Sequence, residues 1–235
     1  KTYTFHLNTN VYFHDHDIFP SGKRRKVVAA DFIYSFNRLL DEKVASPGAW
    51  LVRGKVAAEN AYSAPNDSTL IVALNIPYRP FLGVLTLPYF SVVPKEIVEH
   101  YGKDFRIHPV GSGPFTFKLW DEIKALFLNK NEHYFMTDAK GAQLPYLDGI
   151  KVSFINDRKS EFEAFRQGQL EFMSGIDPAY KDLLLESNGD LRSEFESIIT
   201  MHKFPYLNTE YLGFSLAQQN NKAIGNKLVR QAINM

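Results

Sequence analysis

The chain opens on an alternation, Thr2-Tyr3-Thr4-Phe5-His6-Leu7, in which every second side chain is aromatic or aliphatic, as in a half-buried strand. From 27 to 40 the period changes: Ala29, Phe32, Ile33, Phe36, Leu39 and Leu40 recur three and four apart and give a helix one apolar face. Ser68 to Leu74 carries the β-branched Thr69, Ile71 and Val72 and predicts another strand, after which Pro77, Pro80 and Pro88 hold the chain in turns. A compact helix is predicted from Pro94 to Tyr101, with Pro in its first turn, Glu96 early and Gly102 after its end, as the dipole and the orphan backbone groups favour.

Beyond Phe105 the pattern becomes strand-rich. The short apolar runs 115–120 and 124–128, separated by Asp121 and Glu122, predict an antiparallel pair. A third run, 149–155, precedes Asn156 and Asp157, whose side-chain oxygens can cap a helix over 158–167 that Gly168 ends. A strand over 169–173, a helix over 178–186 opened by Asp177-Pro178, and an amphipathic helix over 226–235 complete the reading. The class is α/β with no repeat of fixed length. No strand leads into a Gly-rich phosphate turn, which argues against a doubly wound nucleotide fold.

Composition narrows the function. Lys and Arg number 27 against 26 Asp and Glu, so the net charge of +1 offers no cationic surplus for nucleic acid. With no Cys, disulfides, thiolate ligands and cysteine nucleophiles are excluded together. No apolar run approaches the ~20 residues of a membrane helix. Lys1 leads straight into a strand with no initiator Met or signal peptide, and the last helix stops at Met235 without a cap. The chain therefore reads as an internal piece of a longer protein, with the apolar face of 228–233 short of partners.

Candidate chemistry is sparse. His14-Asp15-His16-Asp17 would place two imidazoles on one face of a strand and partly matches the H-x-H-x-D-H signature of metallo-β-lactamase-like hydrolases. Ile18 and Phe19 stand where that signature needs Asp and His, so a polar loop bonding its own backbone is the leading expectation and a metal-dependent hydrolase the alternative. Gly111-Ser112-Gly113 misses the G-x-S-x-G spacing of a nucleophile elbow and predicts a sharp chain reversal. The run Lys23-Arg24-Arg25-Lys26 predicts a solvated loop. Glu161 with Glu163, and Glu194 with Glu196, stand two apart and suit no acid/base pair on a helix. No catalytic constellation can be assembled, so the reading is a non-enzyme without cofactor or metal. What remains is recognition: 205–214 (PYLNTEYLGF) alternates rings, amides and a hydroxyl, and Tyr can both stack on a ligand and donate its hydroxyl.

Several segments, in order, resemble the extracytoplasmic solute-binding proteins of peptide- and nickel-type ABC importers. They are YTFHL at 3–7, VYFHD at 11–15, VAADFIYSFNR at 28–38, ASP at 45–47, PKE at 94–96, HPVGSGPF at 108–115, NKN at 129–131 with Tyr134, QGQLE at 167–171 and KLVRQAI at 227–233. Two departures affect loop shape and packing. The loop after Phe13 is longer than the family's turn, with 18–26 reading as an insertion, and Phe135 stands where the family has Trp.

The resemblance implies a periplasmic-binding-protein-like receptor of type II (cluster C), bilobed and closing about a hinge. Residues 1–108 would form the small α/β subdomain beside the first lobe, 109–204 the first lobe with its mixed sheet, and 205–235 the crossover strand and the start of the second lobe. It implies capture of short peptides for a membrane permease, a periplasmic or otherwise extracytoplasmic location, free or lipid-anchored, and a monomer at full length. Nickel chelate, haem or oligosaccharide are the other ligands such a fold would take. Tyr206 and Tyr211 match aromatic positions of the crossover strand, Asn208 and Thr209 could present hinge amides, and Trp50 is the small subdomain's candidate for a ligand pocket.

Overall fold

In the computed structural model, residues 1–20, 22–57, 59–205, 208–215 and 222–233 are described, the side chain of 222 excepted. The opening alternation forms β1 (Thr2–His6), with Tyr3 and Phe5 packed on the core. Helix α1 (Ala29–Arg38) follows; at its start the Val28 N–H donates to Asp31 Oδ2 at 2.8 Å, tying down an orphan donor. The hairpin β2 (Tyr62–Asn66) and β3 (Thr69–Ala73) turns on Asn66, whose Oδ1 accepts from the Ser68 N–H at 3.0 Å. The sheet order is β1-β3-β2, antiparallel throughout, with Phe5 opposite Leu70 and Tyr62 opposite Val72.

One face of this sheet is buried by the stripe that the sequence displays. Leu70 and Val72 pack with Ala29, Phe36 and Leu39, together with Leu51, Val52, Val56 and, from α2 (Phe81–Val84), Phe81 and Val84. Helix α3 (Lys95–Tyr101) ends at Gly102, whose φ of +54° falls in the left-handed region that favours glycine. A second buried cluster joins Phe13, Phe19, Val27, Ile97 and Val110, and Phe32 touches both clusters.

The second sheet consists of β4 (Phe115–Asp121), β5 (Ala125–Lys130) and β6 (Gly149–Ser153), in that order and antiparallel. Its first turn closes on Asp121, whose Oδ1 accepts from the N–H of Ile123 at 3.0 Å and of Lys124 at 3.1 Å. Helix α4 (Arg158–Arg166) begins at Asp157, which accepts from the Ser160 N–H at 2.8 Å as a capping acid should.

Compact units divide inside α4, Lys1–Glu161 and Phe162–Met235. In the second unit Phe162 is buried and stacks on Tyr180 at 4.6 Å. The helix expected over 178–186 is instead a 3-10 turn, Pro178–Tyr180, running into α5 (Lys181–Leu184). Asp177 does cap it, accepting from the Ala179 N–H at 2.8 Å. Two short helices follow, α6 (Lys222–Gly225) and α7 (Lys227–Ile233), and on α7 Leu228 and Ile233 are exposed.

Three further expectations differ from the structure. Residues 169–173 form no strand; the Gln169 N–H bonds the Ala164 carbonyl to finish α4, and Phe172 is exposed. The sequence reading assigns no element to 62–66, where β2 forms, and Pro65 is tolerated there because β2 is an edge strand. Arg25 is not solvated. It bonds Asp31 twice, at 2.7 and 3.0 Å, and Glu96 at 3.0 Å. Extended backbone sends neighbouring side chains to opposite faces, so Arg25 turns inward while Arg24 lies over the Tyr12 ring. Burial works against the Arg25 charge, but Asp31 and then Glu96 outweigh it and raise the guanidinium pKa further.

Candidate functional site

The loop from 14 to 24 is closed at its base by the bonds Phe13 N–H to Arg25 O and Val27 N–H to Val11 O. At its start His14 is tied to the reversal at 111–113: its N–H donates to Gly111 O at 2.8 Å and its Nε2 to Gly113 O at 2.9 Å. Asn131 Nδ2 donates to the same Gly113 carbonyl at 2.9 Å, so the Gly-Ser-Gly turn joins the loop to the end of β5. A groove of about 430 Å³ opens beside this junction, lined by residues that include His14, His16, Arg24, His108, Lys130 and His133. A second, apolar groove of about 540 Å³ shares His14 and runs over Phe115, Phe117, Trp120 and Leu128.

Both loop imidazoles are engaged by the fold. His16 Nδ1 accepts the Ile18 N–H at 3.2 Å, and its Nε2 lies 3.4 Å from the Tyr101 hydroxyl. Among the described residues no group of three or more His, Asp or Glu is placed to hold a metal ion. The loop is one whose side chains bond backbone, through His14, Asp15 and His16.

His14 is expected to make the first unit sensitive to acid. Burial lowers its pKa below 6.5, while the Gly113 bond and then Asp15 pull upward without cancelling it. A histidine depressed in the folded state contributes stability that is present above the unfolded pKa and lost as pH falls through the folded one. Urea unfolding is therefore expected to show lower stability near about pH 5.5 than near about pH 7.5, with a smaller drop in His14→Gln. An equal drop in the variant would assign the acid sensitivity to other groups.

Trp50 sits on a 3-10 turn, Ala49–Leu51, whose neighbours Leu51 and Val52 plug into the core and leave the indole 65% exposed. The turn is pinned from outside by Tyr89: a Cβ on Gly48 would lie 2.6 Å from its ring, so only glycine fits this approach without a shift. Lys55 reaches back to the turn, its Nζ donating to Trp50 O at 3.3 Å and Leu51 O at 3.2 Å. The ammonium also lies 5.4 Å from the Trp50 ring centre and 4.8 Å from that of Tyr78. The sequence names Trp50 as a candidate and singles out neither Lys55 nor Tyr78, and none of the three lines either groove. The one local signal was a cation five residues after the indole with Gly54 between, where a φ of +72° turns the chain.

Of the other candidates, Asn208, Thr209 and Tyr211 belong to the second unit and all three are exposed, Tyr211 to 88%. Tyr206 lies outside the described residues. Trp50 belongs to the first unit. Among the described residues no helix is long and apolar enough to cross a membrane.

Comparison with known proteins gives a consistent answer. The family described as bacterial extracellular solute-binding proteins, family 5 Middle, matches residues 1–235. The dipeptide-binding protein DppE of Bacillus subtilis is 28% identical over 184 residues, 73% of this chain and 32% of that protein. The glutathione-binding protein GsiB of Salmonella typhimurium is 25% identical over 234 residues, 99% of this chain and 40% of the relative. The chain thus spans 32 to 40% of the length of these curated relatives. Among solved structures, the periplasmic binding protein DppA from Helicobacter pylori in complex with the peptide STSA superposes with a TM-score of 0.64 at 29% identity, covering 78% of this chain and 36% of that one. The unliganded open form of the murein tripeptide binding protein MppA gives 0.66 at 24% identity, over 80% of this chain and 36% of that one, which speaks to the fold alone. The fold class is that of the type II periplasmic binding proteins, of which this chain carries a part. The chain belongs to the bacterial extracellular solute-binding proteins of family 5.

Proposed function

We propose that the protein carrying this chain is the substrate-binding component of an ABC importer, which captures short peptides outside the cytoplasmic membrane and delivers them to a permease. The observation that carries this reading is the family match over all 235 residues. The names of relatives add to it, since a dipeptide, glutathione and the peptide STSA are all short peptides. The receptor works as a monomer that grips its ligand without altering it, closing two lobes and expelling water, so that backbone hydrogen bonds give affinity and aromatic pockets accept varied side chains.

In this reading 1–108 is the small subdomain, 109–204 the first lobe, and 205–235 the crossover and the start of the second lobe. The sheet β1-β3-β2 falls wholly in the first range and β4-β5-β6 wholly in the second, while both sheets belong to the compact unit Lys1–Glu161. Trp50 is the small subdomain's ligand contact: a large indole held outward by a buried turn is placed to receive a partner. Tyr206, Asn208, Thr209 and Tyr211 are the contacts assigned to the crossover segment, whose described residues 208–215 form no strand. Titration calorimetry of the intact protein against short peptides tests the reading: saturable heat at one ligand per protein supports it, and no heat with any peptide pool contradicts it.

A further inference from the structure

Lys55 is held more firmly than a solvent-facing lysine needs to be. Two carbonyls take two of the three donors that an ammonium carries, and the rings of Trp50 and Tyr78 flank it. Carbonyls and ring faces attract a cation without neutralising it. Among the described residues no carboxylate is paired with Lys55, whereas Arg25 has two acids and Lys130 has Glu132 at 4.0 Å. The result is a half-buried positive charge with one N–H to spare, beside an exposed indole. A lysine ordinarily loses rotamer freedom when it is fixed on a ligand. Here the fold has already fixed it, so an incoming anion meets a preorganised donor.

We propose that Lys55 is a carboxylate-binding residue of the ligand site, accepting the carboxylate of a bound peptide while the Trp50 ring covers the adjoining residue. This rests on the peptide-binding reading and sharpens it, since it makes a free carboxylate the feature that the first unit selects. The same chemistry is offered by a peptide C-terminus and by an acidic side chain, and the experiment separates the two.

Calorimetry on the intact protein would use three probes: Ala-Ala-Ala as the free acid, Ala-Ala-Ala amide, and Ala-Glu-Ala amide. The wild type is expected to bind one of the carboxylate-bearing probes about tenfold tighter than Ala-Ala-Ala amide, as a charge-assisted hydrogen bond allows. Preference for the free acid assigns the C-terminus, and preference for Ala-Glu-Ala amide assigns the side chain. Lys55→Met keeps an unbranched apolar stem against both rings, and it is expected to abolish the preference while leaving the affinity for Ala-Ala-Ala amide within about twofold. Equal wild-type affinity for all three probes would overturn the inference while the peptide reading stands. So would an equal loss for all three in Lys55→Met, which is the mark of a merely structural lysine. Failure of the wild type to bind any peptide at all would strike the peptide reading itself, and this inference with it.

Discussion

Phe13→Ala is expected to destabilise the first unit by about 4 kcal/mol, read as a shift in the urea midpoint at constant slope. Phe13 is 1% exposed and sits at the meeting of Phe19, Val27, Ile97 and Val110, drawn from four separate stretches of chain. Its ring centre lies 6.3 Å from that of Phe19 and 5.0 Å from the Arg25 guanidinium. Its own backbone is fixed by the bond from its N–H to Arg25 O at 2.8 Å, and the adjoining His14 is held to Gly111. A site pinned on both flanks relaxes little, so most of the ring's volume would remain as a void, the condition under which truncation costs most. Phe13→Leu fills most of the space and is expected to cost about 1 to 2 kcal/mol. A loss under about 1 kcal/mol in Phe13→Ala would mean that the loop collapses freely onto the gap and that this cluster is not a packed core.

Arg25→Met is expected to cost about 3 kcal/mol. The guanidinium holds Asp31 in a fork at 2.7 and 3.0 Å and reaches Glu96 on α3, so a single side chain ties the loop base to two helices. Asp31 is 5% exposed and also receives the Val28 N–H at the start of α1. Removing the cation strands a buried carboxylate, and that uncompensated charge is the larger part of the cost. Adding Asp31→Asn should therefore recover a substantial share of the loss, because an amide keeps an oxygen for the Val28 N–H without burying charge. If the double variant is as unstable as the sum of the two singles, the pair is not coupled and the knot is not what holds the loop.

How much of this was legible in the sequence follows from the kind of signal each feature leaves. The α1 stripe, the Gly102 stop, the Asp121 turn and the Asp157 cap rest on interactions within a few residues, which spacing and residue type report directly. The 169–173 stretch has strand-like residues but no neighbour to pair with, and local composition does not report the missing partner. The role of Arg25 depends on Glu96, 71 residues away, and that of His14 on Gly113, 99 residues away. A basic run and a His-Asp-His-Asp run look solvated or metal-binding until those distant partners are placed. Trp50 could be chosen by its resemblance to the family, but the ammonium held between its ring and that of Tyr78 depends on how the turn at Gly54 folds back.

The central claim is that the protein carrying this chain captures short peptides. Isothermal titration calorimetry of the intact protein against di- to pentapeptides tests it most directly. Saturable heat at one ligand per protein is the predicted result. No heat with any peptide pool, together with tight binding of a nickel chelate, haem or an oligosaccharide, would contradict it.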